Sequence, residues 1–303
     1  MAERRADLEV VSVSFPDYVV PQVLPWFARK QSAGNLYYQA YGSDSTAEYN
    51  RNTAALGSIT ANAMAASATS FTCAEVLCRQ EMSYDQVAGY ADLEHAELAM
   101  ARKARRAFYN KVETLGRNAL ITNAIDATSD PVAAIDEYAA KLADKAAGET
   151  ALVLSNHDFV ALKANATVKD RMKNTGVYLG FNGDPRNVTK EQMAAIFGVS
   201  KVIIGRDDLW YASGYKGKGA VVVLPNGDID PSEEVQLGRT VYFAYDTEAE
   251  HHIVESFYDD VNKAHAVDAF GLVQVKVLNS ALAQALTLFT VDESQSASVS
   301  SSN

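Results

Sequence analysis

Adjacent imidazoles at His251 and His252, carboxylate pairs at Asp207-Asp208 and Asp259-Asp260, and the run Gly214-Tyr215-Lys216-Gly217-Lys218-Gly219 have the residue types to bind a metal, move protons or hold phosphate. Their spacing argues against each role. Neighbouring side chains in a strand point to opposite faces, so two consecutive histidines do not ligate one ion together. The carboxylate pairs fall among turn residues, where solvated loop positions account for them. A phosphate loop closes with Gly-Lys-Ser/Thr and feeds a helix whose N-terminus faces the anion, whereas the glycine and lysine run here feeds the apolar strand pattern Ala220 to Leu224 and reads as a hairpin tip. Ser155 lacks the flanking glycines of a nucleophile elbow. His95, beside Glu94 and Glu97, has no second histidine at the offset of a two-histidine metal pair. Cys73 and Cys78 lie five apart, on opposite faces if their stretch is a strand, and read as two free thiols. The reading assigns no catalytic residue, no cofactor and no metal.

The stretch "ALVLSNHDFVALKANATVKDRM", residues 151 to 172, sharpens the question. It begins as the strand and loop of a nucleotide-binding layer and then supplies no phosphate-binding chemistry. The elements around it must explain what such a layer is for.

The chain has 303 residues, of which 48% are hydrophobic, enough to bury a substantial core in one large domain or two ordinary ones. Its formal net charge of −11 argues against a dedicated nucleic-acid binder, which needs clustered cations to neutralise phosphates. No secretory signal opens it and no apolar run is long enough to span a bilayer, so a soluble protein made in a cytoplasm is expected.

Residues 1 to about 32 carry Pro16, Pro21 and Pro25 and no sustained period, and read as an extended arm lacking a fold of its own. Residues 36 to 71 are polar and small-residue rich, too long for an idle loop, and read as a projecting hairpin. From Asp92 the period becomes helical: Leu93, Ala96, Met100, Ala104, Phe108, Val112, Leu115 and Ala119 form one stripe of a single helix, a rod of ~43 Å. Arg102, Lys103, Arg105 and Arg106 cluster on its other faces, as a solvated surface or an anion site. Ser129 is placed to cap a second helix that begins Asp130-Pro131 and runs to Gly148. Short helices then connect two buried strands, Ala151 to Leu154 and Lys201 to Gly205, an α/β layer. Four strand patterns follow, at Ala220 to Leu224, Thr240 to Tyr245, His252 to Tyr258 and around Val273, Val275 and Val277. The polar tail from Asp292 would be disordered alone.

This order of parts resembles the major capsid proteins of tailed bacteriophages, the HK-97 fold that encapsulins share. The stretches that carry the resemblance are "ALVLSNHDFVALKANATVKDRM" with "KEQMAAIFGVSKVIIGR", similar to the axial-domain core of the family, and "SFTCAEVLCRQEMSYDQVAGYADLEHAELAMARKARRAFYNKVE", similar to a returning hairpin strand that feeds a spine helix. The resemblance implies an α+β chain with an N-terminal arm (1–35), an extended β-hairpin loop (36–71), a peripheral domain with the spine helix (72–128), an α/β axial domain (129–250), strands returning to the peripheral domain (251–291) and a polar tail (292–303). It implies a non-enzymatic shell subunit of a phage head around double-stranded DNA, made in the host bacterial cytoplasm and resident in the virion. Its partners would be itself in pentamers and hexamers, a separate scaffolding protein, a portal and a decoration protein, with no sequence-specific nucleic-acid binding and no membrane. Contacts between subunits would fall on Trp26, Phe27, Tyr37, Tyr38, Tyr41, Tyr49, Arg51, Lys216 and Lys218, and the spine's core on Leu93, Met100, Phe108, Val112 and Leu115. The hairpin contains no lysine, which excludes a lysine-to-asparagine crosslink launched from it, and with an arm of only ~30 residues after Met1 a separate scaffold is expected in place of a fused, cleaved one. Two other readings stay open: an encapsulin-like compartment shell, and an α/β enzyme with a pocket lined by residues such as His157 and Asp158.

Overall fold

A computed structural model describes residues 3–4, 18–41, 67–145, 148–174, 188–226, 229–244 and 251–290. Its first half contains β1 (Glu3–Arg4), α1 (Val20–Val23), β2 (Trp26–Arg29), β3 (Ala33–Tyr38), β4 (Ser67–Thr72), β5 (Ala74–Ser83), α2 (Tyr84–Val87), α3 (Leu93–Leu120), β6 (Ile125–Asp126) and α4 (Pro131–Ala143). The second half contains β7 (Thr150–Ser155), α5 (Asn156–Ala164), α6 (Ala166–Asn174), α7 (Lys190–Ile196), β8 (Lys201–Gly205), α8 (Asp207–Trp210), β9 (Lys218–Val223), β10 (Gly238–Phe243), β11 (Ile253–Asp259), β12 (Ala264–Val277) and β13 (Ala283–Thr287).

Among the described residues the strands form two large sheets and one hairpin. A six-stranded sheet runs β1-β11-β12-β10-β2, with β5 also paired to β12; a five-stranded sheet runs β6-β13-β9-β7-β8; β3 pairs with β4 alone. In β5, Val76 and Met82 are buried while Glu75, Leu77, Arg79 and Glu81 are exposed, the period-2 alternation of a strand with one covered face. Helix α3 covers that face. Asp92 caps its start by accepting the His95 amide. All six residues of β7 are buried, as a strand enclosed on both faces requires, and β7 pairs parallel with β8. One hydrophobic cluster runs from Met100 and Phe108 of α3 through to Leu152 and Val153 of β7, so both sheets share a core.

Of the residues expected in the spine core, Met100, Phe108 and Val112 are buried and Leu115 is half-buried, whereas Leu93, in the first turn of α3, is 41% exposed. The expectation that the N-terminal segment lacks a fold of its own does not hold from Tyr18 onward. Val19, Val20, Val23 and Leu24 are all within 1% of complete burial, and β2 adds a parallel strand to β10. Four apolar residues within less than two turns are buried without ever showing a period. Pro21 sits in the first turn of α1, where its missing amide costs nothing.

Three expected boundaries also move. Strand β10, placed at sequence level in the α/β layer, pairs with β12 and β2 in the six-stranded sheet. Strand β13, expected to return to the spine, instead pairs with β9 in the five-stranded sheet, and the short β6 crosses to join it. The chain therefore passes between the two bodies more often than a division into consecutive blocks allows. The cap of α4 is Asp130, whose carboxylate accepts the Ala133 amide, and not Ser129; likewise Ser155 caps α5. No helix of the described residues is long and apolar enough to cross a membrane.

Candidate assembly surfaces

The hairpin β3–β4 leaves the body of the protein from a small base of its own. Leu36, Phe71, Cys73 and Val241 form a buried cluster separate from the main core, with Phe27, Leu272 and Leu278 packed against it. Leu36 points inward while its strand neighbours Asn35 and Tyr37 point out. Polar contacts fix the exit. The buried Asn279 side chain accepts the Tyr41 amide at 2.9 Å and donates to the Gln39 and Gln236 carbonyls at 3.0 and 2.8 Å. Lys276 Nζ donates to the Ser70 carbonyl at 3.1 Å. Tyr37 and Tyr41 are 52% and 45% exposed, and Tyr38 is half-buried. Tyr49 and Arg51 lie outside the described residues.

The other expected contact residues have partners within the chain. Trp26 is half-buried, stacks on His251 at 4.1 Å and meets Tyr109 and Tyr242 edge-on. The Arg29 guanidinium lies over the Phe27 ring at 4.6 Å. Lys216 Nζ sits 5.4 Å from the Tyr211 ring, and Lys218 Nζ donates to the Gly214 carbonyl at 2.7 Å.

A junction missed at sequence level joins the N-terminal segment, the long helix and the α/β layer. Residues 110, 113 and 117 follow one another at helical spacing along α3. Asn110 Oδ1 accepts the Tyr18 hydroxyl at 2.8 Å. The Glu113 carboxylate, 2% exposed, accepts the Val19 and Val20 amides at 2.8 and 3.0 Å and Trp210 Nε1 at 2.8 Å. Arg117 donates to the Leu209 carbonyl and covers the Tyr215 ring at 3.9 Å. Burial pushes the Glu113 carboxyl above its usual range, against the pull of those hydrogen bonds. Two glycines make room: a Cβ on Gly116 would stand 2.1 Å from a Val20 methyl, and one on Gly205 would stand 2.3 Å from the Trp210 indole. Gly205→Ala is therefore expected to drive Trp210 off Glu113 and to cost about 1–3 kcal/mol, read as a lower urea midpoint at unchanged m-value.

The layer that opens like a nucleotide site is engaged in holding its own shape. Asp158, 1% exposed, accepts the Ser155 hydroxyl at 2.8 Å and the Gly217 amide at 3.0 Å, tying the end of β7 to the loop before β9. Burial raises its carboxyl. His157 stacks on Tyr211 at 4.0 Å, and its amide donates to Asp207 at 2.7 Å. The larger depression nearby, 470 Å³, lies along β8 and is lined by Gln22, Lys190, Glu191 and Lys201, without either His157 or Asp158. No cluster of three metal-ligating side chains occurs among the described residues.

His252 is buried and its neighbour His251 half-buried. His252 is 1% exposed, between Phe108 and Tyr109, and neither of its ring nitrogens has a hydrogen-bond partner. The Tyr109 hydroxyl lies 3.4 Å from His251 Nδ1. Burial pulls His251 down to about 4 from 6.5, and burial, Arg105 and His251 pull His252 to about 3. The unfolded imidazoles take up protons near 6.5 and the folded ones only far below. Their contribution to stability is therefore complete above that value and is lost as pH falls towards 4 and then 3, at about 1.4 kcal/mol per pH unit per group. The urea midpoint is expected to drop steeply between pH 6.5 and 4, and His252→Phe should flatten that limb.

Exposed apolar side chains gather at one end. Tyr84 (73% exposed), Tyr90, Leu93, Tyr258 and Val261 (91% exposed) surround the far end of the six-stranded sheet, where Ser83 and Asp259 both pair with Ala264. The signal available in sequence was a tyrosine beside each turn, too common to single out.

No family model matches the sequence, and no curated protein matches it. Solved structures do match, over nearly the whole chain. A phage-related protein from Bordetella bronchiseptica RB50 superposes with a TM-score of 0.68 at 13% identity, covering 94% of this chain and 97% of its own. The capsid of the cyanophage P-SCSP1u gives a TM-score of 0.52 at 12% identity, covering 93% and 91%. The capsid of an empty GTA particle gives 0.53 at 11% identity, covering 93% and 100%. The chain has the HK-97 capsid fold. The mixed α/β architecture expected of that fold is present, and at such low identity the likeness lies in backbone layout alone.

Proposed function

We propose that this chain is the major capsid protein of a tailed bacteriophage and assembles, through non-covalent contacts, into pentamers and hexamers of an icosahedral head around double-stranded DNA. The observation that carries the reading is the likeness to phage and GTA capsid structures over 93–94% of the chain. A hairpin held to the body by a four-residue cluster supports it, because such an arm gains further stability only from a neighbour. In this reading α3 with the six-stranded sheet is the peripheral domain and the five-stranded sheet with its helices is the axial domain. The exposed tyrosines of the hairpin, Tyr37 and Tyr41, lie where a neighbouring subunit would pack. A separate scaffolding protein, a portal and a decoration protein complete the assembly, which forms in the bacterial cytoplasm and persists in the virion. The role is structural; Asp158 and His157, the residues an enzyme in this layer would use, are engaged within the chain.

Negative-stain electron microscopy with sedimentation velocity tests this on purified protein, with and without the product of the neighbouring gene. Closed shells, or rings of five and six subunits, are expected. A compact monomer or dimer under every condition would overturn the proposal.

A further inference from the structure

The longest helix of this acidic protein turns only positive charge outward along its middle. Helix α3 carries three carboxylates. Glu94 stands in the first turn, while Glu97 and Glu113 are buried at 9% and 2% exposure. His95, Ala99, Arg102, Lys103, Arg106 and Asn110 follow at spacings that place them on one stripe. Arg102, Lys103 and Arg106 are exposed, and no ion pair or hydrogen bond engages them among the described residues. His95, at the top of the stripe, is held by Asp92 at 2.7 Å. Arg105 and Arg117, the cations that the helix buries, belong to the body of the protein.

We infer that this stripe is a non-specific contact for the backbone of double-stranded DNA, which would place the exposed face of α3 on the inside of the shell. Three observations favour a polyanion. Among the described residues these cations have no acidic partner although the chain's net charge is −11, so the carboxylates abundant in composition are not placed beside them there. Arg102 to Arg106 spans about 6 Å of helix axis, over which duplex DNA, with one charge per ~1.7 Å of its own axis, presents several phosphates. The stripe also has no large apolar residue, whereas a protein partner is held by buried aromatic and aliphatic anchors. Exposed large apolar side chains occur off the stripe, with Leu93 in the first turn of α3 and others, such as Tyr84, Tyr258 and Val261, outside the helix. Three contacts on an otherwise acidic subunit give weak, salt-sensitive attraction, enough to order the outermost DNA without holding it against exit.

The inference rests on the shell reading, and its test separates the two. Binding of the purified full-length chain to a short DNA duplex would be followed by fluorescence anisotropy over a tenfold range of salt. The expected result is a log–log slope of about −2 to −3, from roughly 0.9 per phosphate contact, hence a hundredfold to thousandfold loss across the series. The variant Arg102→Gln/Lys103→Gln/Arg106→Gln should lose affinity at least tenfold and show a slope near zero. Lys141→Gln/Lys190→Gln/Lys263→Gln, which removes the same charge from exposed positions elsewhere, should behave as the parent. Equal binding by the stripe variant, or no binding by the parent at the lowest salt, would overturn the inference. So would tighter stripe-dependent binding of poly-glutamate than of DNA, which would identify an acidic protein segment as the partner. Electron microscopy of the same preparations reads the shell independently: particles that form without stripe-dependent DNA binding sink this inference alone, and a parent chain that never assembles sinks the shell reading.

Discussion

Glu113→Ala is expected to cost about 3–5 kcal/mol, because it leaves three buried donors without an acceptor, each worth about 1–3 kcal/mol when orphaned, with partial relief from water entering the gap. That is a large share of a stability of ordinary size. The three donors, the Val19 and Val20 amides and Trp210 Nε1, come from two distant segments of the chain. The loss should therefore release the N-terminal turn and the α8 loop together, and not destabilise one element alone. Hydrogen exchange checks this: amides of residues 18–24 and 206–211 should lose protection in parallel, ahead of the rest of α3. Glu113→Gln keeps one acceptor oxygen and should fall between parent and Ala variant in urea midpoint. If residues 18–24 stay protected in the Ala variant, Glu113 is not what fixes them.

Removing residues 43–65 and closing the hairpin with a short turn is expected to abolish closed particles while leaving the subunit folded. The residues that hold the base, Leu36, Phe71, Cys73 and Val241, all remain, as do the six paired positions from Ala33↔Thr72 to Tyr38↔Ser67. Thermal unfolding should change little, since the core of the described residues is built from side chains outside the deleted stretch. Assembly, read by electron microscopy and sedimentation, should fall from shells to isolated subunits or small rings. Normal particles from this variant would remove the hairpin from any role in closure.

The parts of the fold legible in sequence were those whose pattern runs long enough to show a period. Helix α3 spans 28 residues and β7–α5 repeats a strand-then-helix pattern, and both are found close to where they were expected. The N-terminal turn was missed because Val19, Val20, Val23 and Leu24 span less than two turns, and a buried patch of that length looks the same as an unstructured apolar stretch. The exchange of β10 and β13 between sheets was missed for another reason. Strand propensity specifies that Gly238 to Phe243 or Ala283 to Thr287 is extended, not which partner it pairs with; pairing depends on residues far away in the chain. The Glu113 junction is the clearest case. A glutamate on a helix reads as solvent-facing, and only the convergence of Val19, Val20 and Trp210 on it shows why this one faces inward. Leu93 is the converse, an apolar residue in register with the buried stripe that is exposed in the first turn of α3.

The separation of the hairpin's base from the main core bears on geometry at a larger scale. If the chain builds an icosahedral shell as proposed, a lattice of one chain type presents several non-identical environments, and the same arm would have to leave its subunit at more than one angle. Strands of six residues extend about 20 Å, and over that lever a pivot of about ten degrees displaces the far end by about 3–4 Å. On that reading the base, whose buried residues Leu36, Phe71, Cys73 and Val241 form a cluster separate from that around Phe108 and Leu152, would act as a mechanical joint: the strain of such a pivot would fall on this small cluster and on the Asn279 and Lys276 hydrogen bonds before it reached the main core.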